Sequence, residues 1–435
     1  MTTPSVGARV GVLAARDFRL VFAGQALSTL GDAMATIAVA FAVLEIGGSP
    51  GALGAVLVAR YAPLAVFLLI GGVVADRVRR RRLMLISDAL RALAQGTLAA
   101  LLLSGNAELW QIVLLQAVHG TAEAFFSPAL AGLLPQIVNA RRLPQANALL
   151  RMTFDLSLIV GPGLGALLVA QFHAGGAVAA DAATFAVSAL LLARLRPTRE
   201  ARSQSRRIRL VADLRDGWFQ VRSRSWLWIS IVNFMLFGAL AMPAILVLGP
   251  ELARTELGGI GTWSILTGAF GAGALAGSIL SLRIRFRRPA VAMAVLLAIA
   301  AARPAAFASG FGLPLIAAFS LLAGAAMSTA TVLWIGLLQQ QVPAEALSRV
   351  DSIDSFGTFL LMPLGYLAAG PLAATVGIHL GMVLLGALPL LVSVATLASS
   401  QLRKLGWLDE PMKRNLDGER EQRLPVGEPL LEPAV

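Results

Sequence analysis

Long apolar runs, broken by short polar stretches, dominate the chain. Twelve stand out, at roughly 18–45, 51–75, 83–104, 109–134, 146–171, 174–195, 225–251, 261–282, 289–308, 312–336, 347–371 and 376–400. Each is near the ~20 residues that a helix needs to cross hydrocarbon. None shows the short alternating segments of a membrane barrel. The pattern predicts an all-α polytopic membrane protein with twelve transmembrane helices.

Composition agrees. Of 435 residues, 57% are hydrophobic and 14% charged, against about 25% charged in soluble domains; mean hydropathy is +0.76. A net charge of +12 would point to nucleic acid in a soluble protein. Here most of the 36 Lys and Arg lie in the N-terminus, in the breaks near 80, 141, 196–224, 285 and 349, and in the tail. The alternate breaks hold almost none apart from Arg254. That asymmetry predicts cytoplasmic termini on both ends and contact with anionic lipid, with no nucleic-acid partner. Met1 to Asp17 lacks the apolar core of a cleavable signal. The absence of cysteine excludes disulfides, thiol catalysis and cysteine metal sites.

The polar gap near 196–224 divides the spans into two sets of six. Within it Leu210, Val211, Leu214, Trp218 and Val221 share one helical face, with arginines opposite, as in a helix lying on a membrane surface. The segment Leu133 to Leu143 aligns with Leu337 to Leu347 at an offset of 204, six of eleven positions being identical. A parallel repeat of six spans builds two similar bundles about one axis. The expected organisation is an N-terminal six-helix bundle (1–195), a cytoplasmic linker with an amphipathic helix (196–224), a C-terminal six-helix bundle (225–400) and a disordered cytoplasmic tail (401–435).

Between the second and third spans lies Gly72-Val73-Val74-Ala75-Asp76-Arg77-Val78-Arg79-Arg80-Arg81-Arg82. This stretch resembles the loop 2–3 motif of the major facilitator superfamily, G-x-L-x-D-R-x-G-R-R. Gly72, Asp76, Arg77, Arg80 and Arg81 match it, whereas Val74 and Arg79 replace the Leu and the second Gly. The resemblance implies a cytoplasmic gate. Asp76 would face the N-terminus of the eleventh span near Leu347-Ser348, where a helix dipole favours a carboxylate by about 0.3–1 kcal/mol. Arg77 and Arg80 would brace that contact, while Arg79, Arg81 and Arg82 would set topology. The corresponding loop of the second half has Ser281 where an Asp would fall.

In the fifth span, Gly161, Pro162 and Gly165 resemble the family's antiporter motif, with Ser157 and Ala166 in place of its first and last glycines. Proline bends a helix, and glycines let a neighbour approach. The fourth span carries Gln116 where many antiporters have an arginine. Ser127-Pro128-Ala129, Leu143 to Asn147, Asp181 to Phe185 and Asp213 to Gly217 are similar to the macrolide-efflux and enterobactin-exporter-like branch. The resemblance implies efflux of a bulky amphiphilic molecule by proton antiport, energised by the proton gradient without a cofactor, in a monomer of the bacterial inner membrane.

Ionisable groups inside spans are expensive and tend to be functional. Asp32 lies near the middle of the first span and Glu123 near the middle of the fourth, with His119 one turn from Glu123 on the same face. Asp32 and Glu123 are the expected proton or substrate couplers, with His119 tuning or relaying. Arg60 either pairs with an acid or binds an anionic group. Arg151 and Asp155 are spaced to pair, Asp181 reads as a cap or interface contact, and Asp351 and Asp354 start the eleventh span. Asn233, Phe237, Trp263, Phe270 and Trp334 line a cavity or pack. No P-loop and no metalloprotease or Gly-x-Ser-x-Gly motif is present, so neither an enzyme nor a metal site is expected. An importer or uniporter on the same fold, and a non-transporting membrane sensor or scaffold, are the alternatives to an exporter.

Overall fold

The computed structural model describes residues 10–139, 142–196, 218–219, 221–281, 283–284, 286–342 and 344–405. Side chains at 69, 72, 73, 76, 144, 155, 344–349, 351, 352, 355–360 and 404 lie outside that description. Most of the expected 196–224 linker and of the 401–435 tail falls outside it too.

Among the described residues the fold is all helical. The principal elements are α1 (Arg16–Glu45), α2 (Pro50–Arg77), α3 (Arg80–Leu103), α4 (Leu109–Ile137), α5 (Leu143–Ala193), α6 (Ser225–Leu236), α7 (Gly249–Thr255), α8 (Ile260–Ser281), α9 (Pro289–Ala301), α10 (Arg303–Ala308), α11 (Leu313–Gln341), α12 (Ala344–Val376) and α13 (Ile378–Thr396). Two π-helical turns, Phe237–Ala241 and Ala244–Leu248, join α6 to α7. Nine segments among the described residues are long and apolar enough to cross a membrane, counting Gln145–Ala193 as one. α4 is equally long but is not among the nine; Gln116, His119 and Glu123 lie within it.

Local chemistry sets the helix starts. Ser49 accepts a hydrogen bond from the Ala52 amide at 3.2 Å, and Pro50 follows at the first helical position, where a missing N–H costs nothing. Glu108 and Gln111 form a reciprocal capping box at α4, which satisfies two otherwise unpaired amides. α5 breaks at Phe172 and His173, whose φ of 59° and ψ of 176° are non-helical. Ser157, Gly161 and Gly165 meet Thr29, Ala33 and Met34 in ascending order, whereas Asp181 and Ser188 meet Gly31 and Gly24 in descending order. The chain therefore reverses at Phe172-His173, between the runs expected at 146–171 and 174–195.

The repeat read from sequence has a structural counterpart. α4 and α11 are each 29 residues long, and α11 begins and ends 204 positions after α4. Val138 and Val342 close them alike, each amide bonding the carbonyl four residues back.

Within the first part of the chain, α1 packs along α5, α2 along α4, and α3 along α4 and α5; within the second, α8 and α9 pack along α11, and α9 and α10 along α13. The most extensive joins between the parts are α2 with α12 and α5 with α8. Glycine makes both close. A Cβ at Gly54 would overlap the Tyr366 carbonyl, and one at Gly271 would lie 2.5 Å from the Leu158 carbonyl oxygen.

The apolar clusters are unevenly shared. At the Ser49 end, Ile37, Phe41, Leu57 and Tyr61 pack into one cluster with Leu248, Trp263, Phe307, Tyr366 and Met382. At the arginine-rich end the clusters around Met84 and Phe126, around Phe18, and around Trp226 and Trp334 each draw on one part alone. Large apolar side chains such as Leu93, Trp110, Leu190 and Leu315 stand exposed on the outer faces, as expected where the surroundings are lipid.

Candidate functional site

The polar residues of the first six runs converge. Asp32 projects from α1, Arg60 from α2, and His119 and Glu123 from α4. Arg60 Nη2 lies 2.9 Å from Asp32 Oδ1 and 3.7 Å from Glu123 Oε2, so one guanidinium faces two carboxylates. His119 Nε2 is 3.3 Å from Asp32 Oδ1 and 3.9 Å from Glu123 Oε2. His119 is fully buried and stands edge-on to the Phe185 ring. Asp32 and Glu123 retain 23% and 29% side-chain exposure, while Arg60 retains 11%. Both acids thus keep part of their side-chain surface exposed, whereas the imidazole keeps none.

Glycine places the partners. Gly120 follows His119 on α4, and a Cβ there would run into the Arg60 carbonyl, so α2 meets α4 at the level of the site because position 120 carries no side chain. Gly161 and Gly165 do the same for α1. A Cβ on Gly161 would meet Ala33, and one on Gly165 would lie 2.8 Å from the Met34 carbonyl oxygen. The antiporter-like motif therefore packs next to Asp32, and Pro162 lies between the two contacts.

Sequence reading missed a second tier of groups. On α3, Asp88, Arg91 and Gln95 follow an i, i+3, i+7 spacing that puts them on one face, a signal available in the sequence. All three are buried. Arg91 pairs with Asp88, which also accepts from Ser188 Oγ at 2.6 Å. The Arg91 guanidinium lies between the Phe126 and Phe185 rings, 4.5 and 4.3 Å from their centroids, a cation–π arrangement. Gln116 donates to Gln95 Oε1 at 3.3 Å, and Gln95 donates to Asp181 Oδ2 at 2.7 Å. Asp181 is an interface contact between α5 and α3 and caps no helix.

The gate motif is partly visible. Gly72 and Asp76 lie on α2, but their side chains are outside the described residues, as is Ser348. Arg77 is exposed. Arg80 donates to the Gly132 carbonyl on α4, and Arg81 Nε donates to the Leu192 carbonyl at 2.9 Å with Nη2 on Ala193. Arg81 thereby ties the last carbonyls of α5 to the start of α3, a contact that a role in topology does not require.

Of the proposed cavity residues in the second part, Asn233, Phe237, Trp263 and Trp334 are buried in packing. Asn233 accepts from Ser393 at 2.8 Å, and Trp334 Nε1 donates to Asp354 at 2.9 Å. Asp354 is thus held by a neighbouring helix. Phe270 lies 4.4 Å from Arg303, which is itself buried. Asp155 and Asp351 lie outside the described side chains, so the Arg151–Asp155 pairing falls there too. No group of His, Cys, Asp and Glu that could hold a metal occurs among the described residues.

The chain has counterparts among known proteins. The family of transmembrane secretion effectors matches residues 9–422. Multidrug efflux pump Tap of Mycolicibacterium fortuitum is 29% identical over 400 residues, covering 88% of this chain and 95% of Tap. Macrolide efflux protein A of Streptococcus pyogenes is 24% identical over 398 residues, covering 89% and 97%. A solved structure of a bacterial homologue of the human lysosomal transporter Spinster superposes with a TM-score of 0.69, covering 93% of this chain and all of that one, at 13% identity. That likeness is one of fold.

Proposed function

We propose a transport cycle for this chain, which belongs to the transmembrane secretion effector family of the major facilitator superfamily and is a multi-pass protein of the bacterial inner membrane. In this cycle the protein exports bulky amphiphilic molecules, drugs or secondary metabolites of macrolide- or siderophore-like size, in exchange for protons. Curated relatives that match nearly end to end are named as efflux pumps for multiple drugs and for macrolides, which favours export over import.

The observation that carries proton coupling is Arg60 between Asp32 and Glu123. One cation cannot neutralise two carboxylates. A proton on one acid leaves the other paired with Arg60, and a cationic or polar substrate group can take the proton's place. Desolvated acids that share a partner favour such exchange because each unpaired charge inside a membrane is expensive. His119, within reach of both carboxylates, fixes their spacing or relays the proton. The N-half would carry this chemistry, and Gly161 and Gly165 would let α1 slide on α5 as the halves rock.

Twelve spans follow if α4 and α12 cross the membrane and α5 counts as two. They divide into bundles on either side of the 196–224 linker, with both termini in the cytoplasm and one chain as the functional unit. On that topology the Ser49 end is external. The shared apolar cluster there and the separate clusters at the arginine-rich end favour a carrier closed outside and open inside. In the opposite state Asp76, Arg77 and Arg80 would close the cytoplasmic end against α12.

The test uses inverted membrane vesicles with a dye that reports the pH gradient and a panel of macrolides, cationic dyes and siderophores. Wild type is expected to dissipate the gradient with at least one compound. Asp32→Asn and Glu123→Gln are expected to lose the response while inserting normally. Undiminished gradient-driven export in both variants would refute the carboxylate roles.

A further inference from the structure

Four acids are gathered in the first part of the chain: Asp32, Asp88, Glu123 and Asp181. Among the described residues, two arginines pair with them, Arg60 and Arg91. Arg91 is committed to Asp88, a pair closed off by Ser188 and two phenyl rings. Arg60 is shared by Asp32 and Glu123. Asp181 has no ion pair among the described residues. Its partners are the Gln95 amide at 2.7 Å and the Thr184 hydroxyl at 3.5 Å.

From this geometry we infer that Asp181 is a second proton-carrying group, loaded and unloaded in the same cycle as the Asp32–Glu123 pair. Asp181 is fully buried. A lone carboxylate at that depth, with no ion-pair partner, is costly to keep charged, and a bound proton removes the charge. The charged groups on the elements around it are already paired with one another, Asp32 of α1 with Arg60 of α2, and Asp88 with Arg91 on α3. Asp32 is the nearest in sequence to its contact point: a Cβ on Gly31 would lie 2.5 Å from Asp181 Oδ1, so the bare backbone before Asp32 rests against the Asp181 carboxyl. His119 and Glu123 of α4 reach this region through Asp32. When Asp32 is paired with Arg60 its charge is compensated and Asp181 stands alone. When Asp32 takes a proton, Glu123 keeps the pairing with Arg60 and Arg91 stays with Asp88, so Asp181 gains no cation and takes up and releases its own proton in step with that pair. Gln116 and Gln95 form a relay of amides from α4 that ends on the Asp181 carboxyl and holds it in place. The balance is simple: a proton from the external water adds to a carboxylate oxygen, and the same proton leaves to the cytoplasm.

The inference rests on proton-coupled export and adds its stoichiometry, two acids in excess of arginines and therefore more than one proton per cycle. Infrared difference spectroscopy of the full chain in lipid discs, titrated from acid to alkaline pH, tests it without a transported compound. The readout is the carbonyl band of protonated carboxyl groups. Wild type is expected to show a titrating band that Asp181→Asn loses and Glu123→Gln retains. In proteoliposomes with erythromycin as probe, protons moved per molecule should fall about twofold in Asp181→Asn, as expected if one of two buried acids is removed. Titrating bands unchanged by Asp181→Asn, or a lost band that never titrates, would overturn the inference. If Asp181→Asn does not insert, Asp181→Glu decides, since a retained titrating band supports the role and an absent one removes it. Wild type that moves no protons with any exported compound would defeat the coupling scheme instead, and the infrared result would still report on Asp181.

Discussion

Arg60→Gln is the substitution whose consequence follows most directly from the site. It removes the cation that lies 2.9 Å from Asp32 and 3.7 Å from Glu123. At an effective dielectric of about 20 these separations correspond to roughly 6 and 4 kcal/mol of attraction before desolvation is subtracted. Breaking a buried pair by deleting one partner typically costs about 3–5 kcal/mol, because a charge is left without compensation. The carboxylates keep some exposure, which lowers the figure, so about 3 kcal/mol is expected. With an unfolding entropy near 2 cal/mol/K per residue, that loss corresponds to a melting temperature lower by roughly 3 °C for a chain of this size. The assay is thermal unfolding of the purified protein in one detergent, followed by intrinsic fluorescence, for wild type, Arg60→Gln, Asp32→Asn and the double variant. Asp32→Asn removes the nearer of the two stranded charges, so the double variant should recover about half of the loss, a coupling of about 1–3 kcal/mol. Single losses that add in the double variant, or an Arg60→Gln protein as stable as wild type, would show that the pair carries no such energy.

Other outcomes follow from the packing. Gly120→Ala puts a methyl group on the Arg60 carbonyl and should separate α2 from α4, lowering stability by about 1–3 kcal/mol and transport by more than the stability loss explains, read from transport per inserted molecule. Gly165→Val should likewise slow transport by about tenfold or more through displacement of α1 beside Asp32; unchanged rates would remove the motif from the mechanism. His173→Gly should raise the melting temperature, because φ of 59° with ψ of 176° lies in a region that strains side-chain-bearing residues by about 1–3 kcal/mol. Arg81→Ala should destabilise the α3–α5 junction by about 1 kcal/mol, measured as faster proteolysis near residue 195, with the pH dependence of transport unchanged.

Much of the fold was legible because membrane helices announce themselves by length and apolarity. The runs at 18–45 and 109–134 match α1 and α4 closely, and the repeat at Leu133 and Leu337 marks two helices of identical length. The break expected between the fifth and sixth runs coincides with the turn at Phe172-His173, just before Gly175-Gly176; His173 makes the turn in a strained conformation. Asp32, Glu123, His119 and Arg60 stood out as lone ionisable groups in apolar runs, and they do converge. Which of them touch was not legible, since contacts between α1, α2 and α4 depend on the bare face at Gly120. Asp88, Arg91 and Gln95 were passed over because they lie in the span with the lowest hydropathy of the nine and directly after five arginines, where charge reads as boundary. Asp181 reads from sequence as a cap or an interface contact because it lies near a span end, and the reversal at Phe172-His173, which carries it back against α1 and α3, makes it the latter.

The central claim is exchange of an exported molecule for protons, and countertransport without an imposed pH gradient tests it most directly. Purified protein in tight proteoliposomes, loaded with a pH-sensitive dye, would be given an outward gradient of erythromycin or of another compound found to be exported. The account predicts proton flow opposite to the compound, abolished in Glu123→Gln and in Asp32→Asn. Movement of the compound with no accompanying change in internal pH would contradict it.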